Sequence, residues 1–112
     1  MLPGRSTLGI MKEADPFYRS RRWKSKREKI LRRDRYICQS SKRYGKIVQA
    51  DTVHHIFPRD SYPQYELCDW NLISLCSREH DRMHYRLTNE LTAYGLDLMR
   101  RTARKFGINV SE

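Results

Sequence analysis

Every histidine of this chain falls in the stretch VHHIFPRDSYPQYELCDWNLISLCSREHDRMHY, from Val53 to Tyr85. His54 and His55 are adjacent, Asn71 follows after a long interval, and His80 and His84 stand four apart. Side chains four apart share a helix face, whereas neighbours in an extended segment point to opposite sides. A chain that uses both pairs together must pack an extended segment against a helix, with one of His54 and His55 turned toward the helix and the other away. Neutral imidazoles bind divalent metals such as Zn, Ni, Co and Mn, so the pattern points to a metal-dependent hydrolytic site. Taken singly, each ring has an ordinary explanation: His54 and His55 as strand residues satisfied by backbone groups, His80 as a helix cap, His84 as a surface residue. Their concentration in one stretch has none.

A chain of 112 residues makes one domain with one small core, which a metal or a partner can help to hold together. The 23 Lys and Arg against 13 Asp and Glu leave a formal charge of +10, which makes a polyanion the leading partner. An acidic membrane surface is the rival polyanion. No apolar run approaches the roughly 20 residues that cross a bilayer, and no amino-terminal segment reads as a signal peptide. The expectation is a cytoplasmic protein with no membrane partner. The 3 cysteines, Cys38, Cys68 and Cys76, cannot all pair within one chain, and reduced thiols fit that compartment.

Residues 1–14 carry two glycines and a proline without a period, and read as an irregular arm. Asp15-Pro16 marks a helix start, and the helix is expected to run through FYRSRRWKSKREKILRRD with Phe17, Tyr18 and Trp23 as anchors into the core. Its polar side is densely positive and interrupted by few acids, so it reads as a face for nucleic-acid backbone more than as a balanced solvated surface. Residues 36–38 and 46–53 are expected to form a small antiparallel hairpin about Gly45, or two extended pieces crossing at a turn there. Residues 57–70 read as a loop, 71–76 as an apolar return, and a helix begins near Ser77, carrying His80 and His84 on one face. Leu87, Leu91, Tyr94 and Leu98 then continue at helical spacing to a stop at Gly107, with Gly95 arguing against one unbroken rod. Phosphodiester hydrolysis needs a base near neutral pKa and a cation to stabilise negative charge, and the diverging pair His54-His55 can divide those tasks. Asn71 can bond across the connecting loop and fix the separation of strand and helix.

These residues carry a family resemblance. FYRSRRWKSKREKILRRDRYICQ, VHHIFPR and NLISLCSREHDRMH resemble the lead-in helix, central strand and asparagine-plus-helix of the HNH endonucleases, of the small phage-type or mobile-element kind. The resemblance covers about Phe17 to Tyr85. It implies an α+β fold: a ββα-metal (His-Me finger) core over about 36–86, a long basic N-terminal helix and a C-terminal helical extension. Residues 15–106 would form one nuclease domain, 1–14 a flexible arm and 107–112 a tail. The implied activity is divalent-metal-dependent cleavage or nicking of DNA. His55 would be the general base, Asn71 the positioning residue, and His54, His80 and His84 the ligands of one divalent ion (Mg, Mn, Ni, Co or Zn).

Charge and position add Arg59, Arg82 and Arg86, with Arg22, Lys26 and Arg33 of the basic helix, as expected DNA contacts. Many relatives carry a structural zinc on two CxxC knuckles. Here those positions read Cys38, Ser41, Cys76 and Glu79, and serine and glutamate do not restore a soft tetrahedral site, so no structural zinc is expected unless Cys68 swings in as a replacement. The histidines merely holding the fold of a non-catalytic nucleic-acid-binding module is the alternative. A nuclease subunit that depends on phage packaging proteins is another, and the chain is expected as a monomer or weak dimer.

Overall fold

Short polar side chains set the starts of three of the helices in the computed structural model, which describes residues 15–110. Asp15 accepts from the Phe17 N–H at 3.0 Å and opens α1, Pro16–Arg19. Ser20 then does two things: its hydroxyl donates to the Phe17 carbonyl at 2.7 Å and accepts from the Trp23 N–H at 3.1 Å. It therefore closes α1 and caps α2, Arg21–Arg33, so the single helix expected from Asp15 onward is two. The break matters because it folds Phe17 and Tyr18 back onto Trp23, with ring centroids 5.3 and 5.7 Å from the indole.

After α2 the chain enters α3, Gln39–Arg43, and turns at Gly45, whose φ of +81° is open to glycine. The expected hairpin of 36–38 with 46–53 is reduced to one bridge, Ile37 to Gln49, supported by the Cys38 N–H to Val48 carbonyl bond at 2.7 Å. The true ribbon joins β1, Thr52–His55, to β2, Leu72–Leu75, in antiparallel register with His54 opposite Ile73 and His55 opposite Leu72. The loop between them contains two single-turn 3-10 segments, Pro63–Tyr65 and Asp69–Asn71. Helix α4, Ser77–Met83, follows β2 directly, which completes a ββα core.

The helix carrying His80 ends one residue before His84, whose backbone is already extended. A connection then leads to α5, Ala93–Phe106, started by the Thr92 hydroxyl and stopped at Gly107 with φ +67°. Gly95 does not break a rod; it sits in the first turn of α5, where a Cβ would stand 2.5 Å from the Met83 carbonyl oxygen. Only glycine lets α5 pack that closely on the end of α4.

The core lies between the ribbon and the helices. Ile30, Leu31, Cys38, Phe57, Leu72, Leu75 and Met83 are each at most 3% exposed, and Leu98 and Met99 of α5 close it from one side. Full burial of such side chains contributes about 1.5–3 kcal/mol each. The end of α2 fastens the outer edge of β2. Arg33 donates to the Leu72 carbonyl at 2.7 Å and the Asp69 carbonyl at 2.9 Å, while Asp34 accepts from the Ser74 N–H at 3.0 Å. The amino-terminal arm of the sequence reading and the last two residues of the expected tail lie outside the described residues. Among the described residues no helix is long and apolar enough to cross a membrane.

Candidate metal centre

The alternation of β1 sends its two histidines to opposite sides of the ribbon. His54, 1% exposed, points at α4. There its ring centroid is 5.3 Å from that of His80 and 5.2 Å from that of His84, and the latter two are 5.5 Å apart. One ligand-capable atom from each of the three lies within 4.8 Å of the others. Three imidazole nitrogens at that spacing suit a divalent ion of intermediate softness and leave further positions for water or a substrate oxygen. His84 reaches the cluster from an extended cap rather than from a helix turn, so the four-residue spacing does not act here as a shared helical face.

His55 faces the other way, onto the aromatic corner made by the α1–α2 break. Its ring stacks on Trp23 with centroids 5.0 Å apart and planes at 22°, and Phe17 and Tyr18 close around it. Nε2 lies 3.0 Å from the Glu66 carbonyl oxygen. A carbonyl only accepts, so Nε2 carries the proton and Nδ1 keeps its lone pair. Burial holds the His55 pKa below the ordinary imidazole value, with the Arg59 charge acting in the same sense and the Glu66 carbonyl opposing it. The ring is therefore neutral at pH 7. His54, His55, His80 and His84 all line one open cleft of about 420 Å³.

Asn71 is fully buried and bonds across the loop rather than into the cleft. Its Oδ1 accepts from the Phe57 N–H at 2.7 Å, and its Nδ2 donates to the Phe57 and Tyr65 carbonyls, both at 3.2 Å. These bonds fix the segment that presents the Glu66 carbonyl to His55. Glu66 also accepts from Arg59 at 2.9 Å, and Arg59 reaches Asp15 at 2.7 Å while lying over the Phe17 ring at 4.1 Å.

The six cations expected at DNA separate in the structure. Arg59 lines the cleft but is held by two carboxylates; Arg22 and Arg86 are exposed. Arg82 is on the far side of α4, paired with Glu79 at 3.1 Å and 3.9 Å over the Tyr94 ring. Lys26 pairs with Asp69 at 2.5 Å and is half-buried, whereas Arg33 stays exposed while bonding to the Asp69 and Leu72 carbonyls, so both clamp the loop. Helical spacing placed them on the polar face, and the loop packs against that face through them.

At the degenerate knuckles, the Ser41 hydroxyl donates to the buried Cys38 sulfur at 3.3 Å, with Cys76 adjacent. Burial raises the Cys38 pKa, but the bonds from Ser41 and Cys76 outweigh it and leave the thiol below its ordinary value. Glu79 turns to Arg82 and to the Tyr94 hydroxyl at 2.6 Å. Cys68 stays in the loop, its thiol 3.8 Å from the Gln64 carbonyl oxygen, and all three cysteines are free.

Two contributors to the site were not visible as such in the sequence. Trp23 was legible only as a core anchor, and Glu66 acts through its backbone, which no side-chain pattern can reveal. Neither a scan against protein-family models nor a search of curated proteins finds a match. Among solved structures, the chain is similar to the crystal structure of the HNH endonuclease of the deep-sea thermophilic bacteriophage GVE2 with manganese ion. The TM-score is 0.60 and the identity 33%, over 73% of this chain and 89% of that one.

Proposed function

This chain belongs to the HNH endonuclease family, and from that premise we propose that it hydrolyses phosphodiester bonds of DNA with one divalent cation and a histidine general base. The observation that supports this reading best is the convergence of three imidazoles on one point, with a fourth ring of opposite orientation lining the same cleft. His54, His80 and His84 would hold the cation, and manganese, present in the similar phage enzyme, is the first ion to test. When bound, it supplies positive charge to a phosphate oxygen and to the departing oxygen.

The chain's own residues do the rest. His55 accepts a proton from a water at Nδ1, and the water oxygen attacks phosphorus in line with the leaving oxygen. The Glu66 carbonyl keeps the opposite nitrogen protonated, and Trp23 keeps the ring from rotating. Asn71 holds both ends of the arrangement by pinning the loop to Phe57. Arg59 at the cleft and the exposed Arg86 and Arg22 would meet neighbouring phosphates, with the overall charge of +10 steering the polyanion.

Supercoiled plasmid incubated with the protein tests the reading. Nicked or linear product should form with Mn, stop on chelation, and fall about 10²–10⁴-fold in His55→Ala, the range of a lost general base. Mn binding should survive in that variant. Undiminished cleavage by His55→Ala would reject the assignment.

A further inference from the structure

The connection from α4 to α5 leaves the body of the protein, with Tyr85 55% and Leu87 82% exposed, and returns at once. It is closed by its own backbone. The Tyr85 N–H donates to the Glu90 carbonyl and the Asn89 N–H to the Tyr85 carbonyl, both at 2.8 Å, and His84 bridges to Leu91. Its base is clamped to the helix end, where Thr92 bonds to Met83 and Arg82. Within it Asn89 has φ +64°, the left-handed region that glycine and asparagine tolerate and branched side chains do not. That conformation turns the Asn89 carbonyl oxygen to 3.1 Å from His84 Nδ1.

We infer that Asn89 is a positioning residue for the metal centre: its backbone carbonyl fixes His84 in the tautomer whose Nε2 lone pair faces His54 and His80. The carbonyl only accepts, so Nδ1 carries the proton and Nε2 is the nitrogen left to bind a cation. His55 is set by the same device in the reverse sense, since the Glu66 carbonyl takes its Nε2 proton. Two imidazoles of one cleft are thus assigned opposite nitrogens by two loop carbonyls, one for a cation and one for a proton. The inference rests on the metal reading above and adds to it a residue outside the ligand set.

Because the carbonyl belongs to the backbone, the side chain at 89 matters only through the conformation it permits. Asn89→Val should therefore weaken Mn affinity about 10-fold or more, the lower end of what loss of a partner to a ligating histidine costs. Asn89→Ala should fall between, and Asn89→Gly should stay within about twofold of wild type because glycine adopts the same φ. Long-range proton–nitrogen spectra of the metal-free protein provide a readout independent of any ion. His84 should be protonated at Nδ1 in wild type and Asn89→Gly, and become a tautomer mixture in Asn89→Val. If Asn89→Val does not fold, Asn89→Ala carries the comparison. Wild-type Mn affinity in a folded Asn89→Val or Asn89→Ala, or an Nε2-protonated His84 in the wild-type spectrum, overturns the inference. Wild-type affinity in both His54→Ala and His84→Ala would instead overturn the metal reading, a result the tautomer spectra distinguish.

Discussion

The two faces of β1 put adjacent histidines into unlike surroundings. On one face His54 meets two more imidazoles; on the other His55 meets Trp23, Phe17 and Tyr18 and a single backbone carbonyl. The first environment gathers lone pairs, which is what a cation needs. The second removes water from a single ring, favours its neutral form and fixes which nitrogen is exposed. One residue of register separates the two, and a slip of that size would exchange them. Ser20 and Asp34 guard against such a slip from outside the ribbon, Ser20 by folding the aromatic corner onto His55 and Asp34 by holding the Ser74 N–H of β2.

Breaking one face while sparing the other tests this separation. The largest effect is expected from His54→Ala, which removes a ligand and should lower Mn affinity more than about 100-fold, beyond the cost of losing an outer partner. Its His55 ring should keep its tautomer in the metal-free spectrum. Next is Trp23→Ala, which deletes the wall behind His55 and a buried core residue. It should destabilise the fold by about 3–5 kcal/mol in denaturant titration, while the milder Trp23→Phe should lower cleavage with Mn affinity unchanged. Asn71→Ala strands the buried Phe57 N–H and weakens the hold on two carbonyls, an expected loss of about 1–3 kcal/mol per group left unpaired. Cleavage should fall with it because the Glu66 carbonyl is no longer held in place.

The smallest effect sharpens the comparison at its edge. Lys26 and Lys29 hold the Asp69 carboxyl below its ordinary pKa, against a minor opposing effect of burial. A carboxyl with a depressed folded pKa adds stability above its unfolded pKa, near 3.8, and that stability is lost as pH falls through the folded value. Asp69 is 43% exposed, so the pairing contributes less than about 1 kcal/mol. Asp69→Asn should therefore flatten the thermal-stability profile slightly on the acid side of pH 4 and leave Mn affinity unchanged. A shift of equal size at pH 7 and at pH 3 would show that the loop clamp does not depend on this ionisation.

The sequence alone carried the opposite orientations of His54 and His55 and the short helix that holds His80, because period-2 alternation and helix starts are local properties, whereas His84 lies just past the helix end in extended backbone. It also carried the basic character and the stop at Gly107, since φ +67° at a helix end is a demand that glycine meets by itself. What local patterns could not carry was any pairing between distant segments. Residues 46–53 do fold back on 36–38, but only through the bridge at Ile37 and Gln49, while β1 took β2 across the intervening loop, burying Leu72 and Leu75 against α2 and α4. The same long-range packing engaged Lys26 and Arg33 with the loop before β2 and brought Trp23 under His55. It also left the choice of ring nitrogen at His55 and His84 to two backbone carbonyls. Those outcomes depend on which surfaces exclude water together, and only the folded chain decides that.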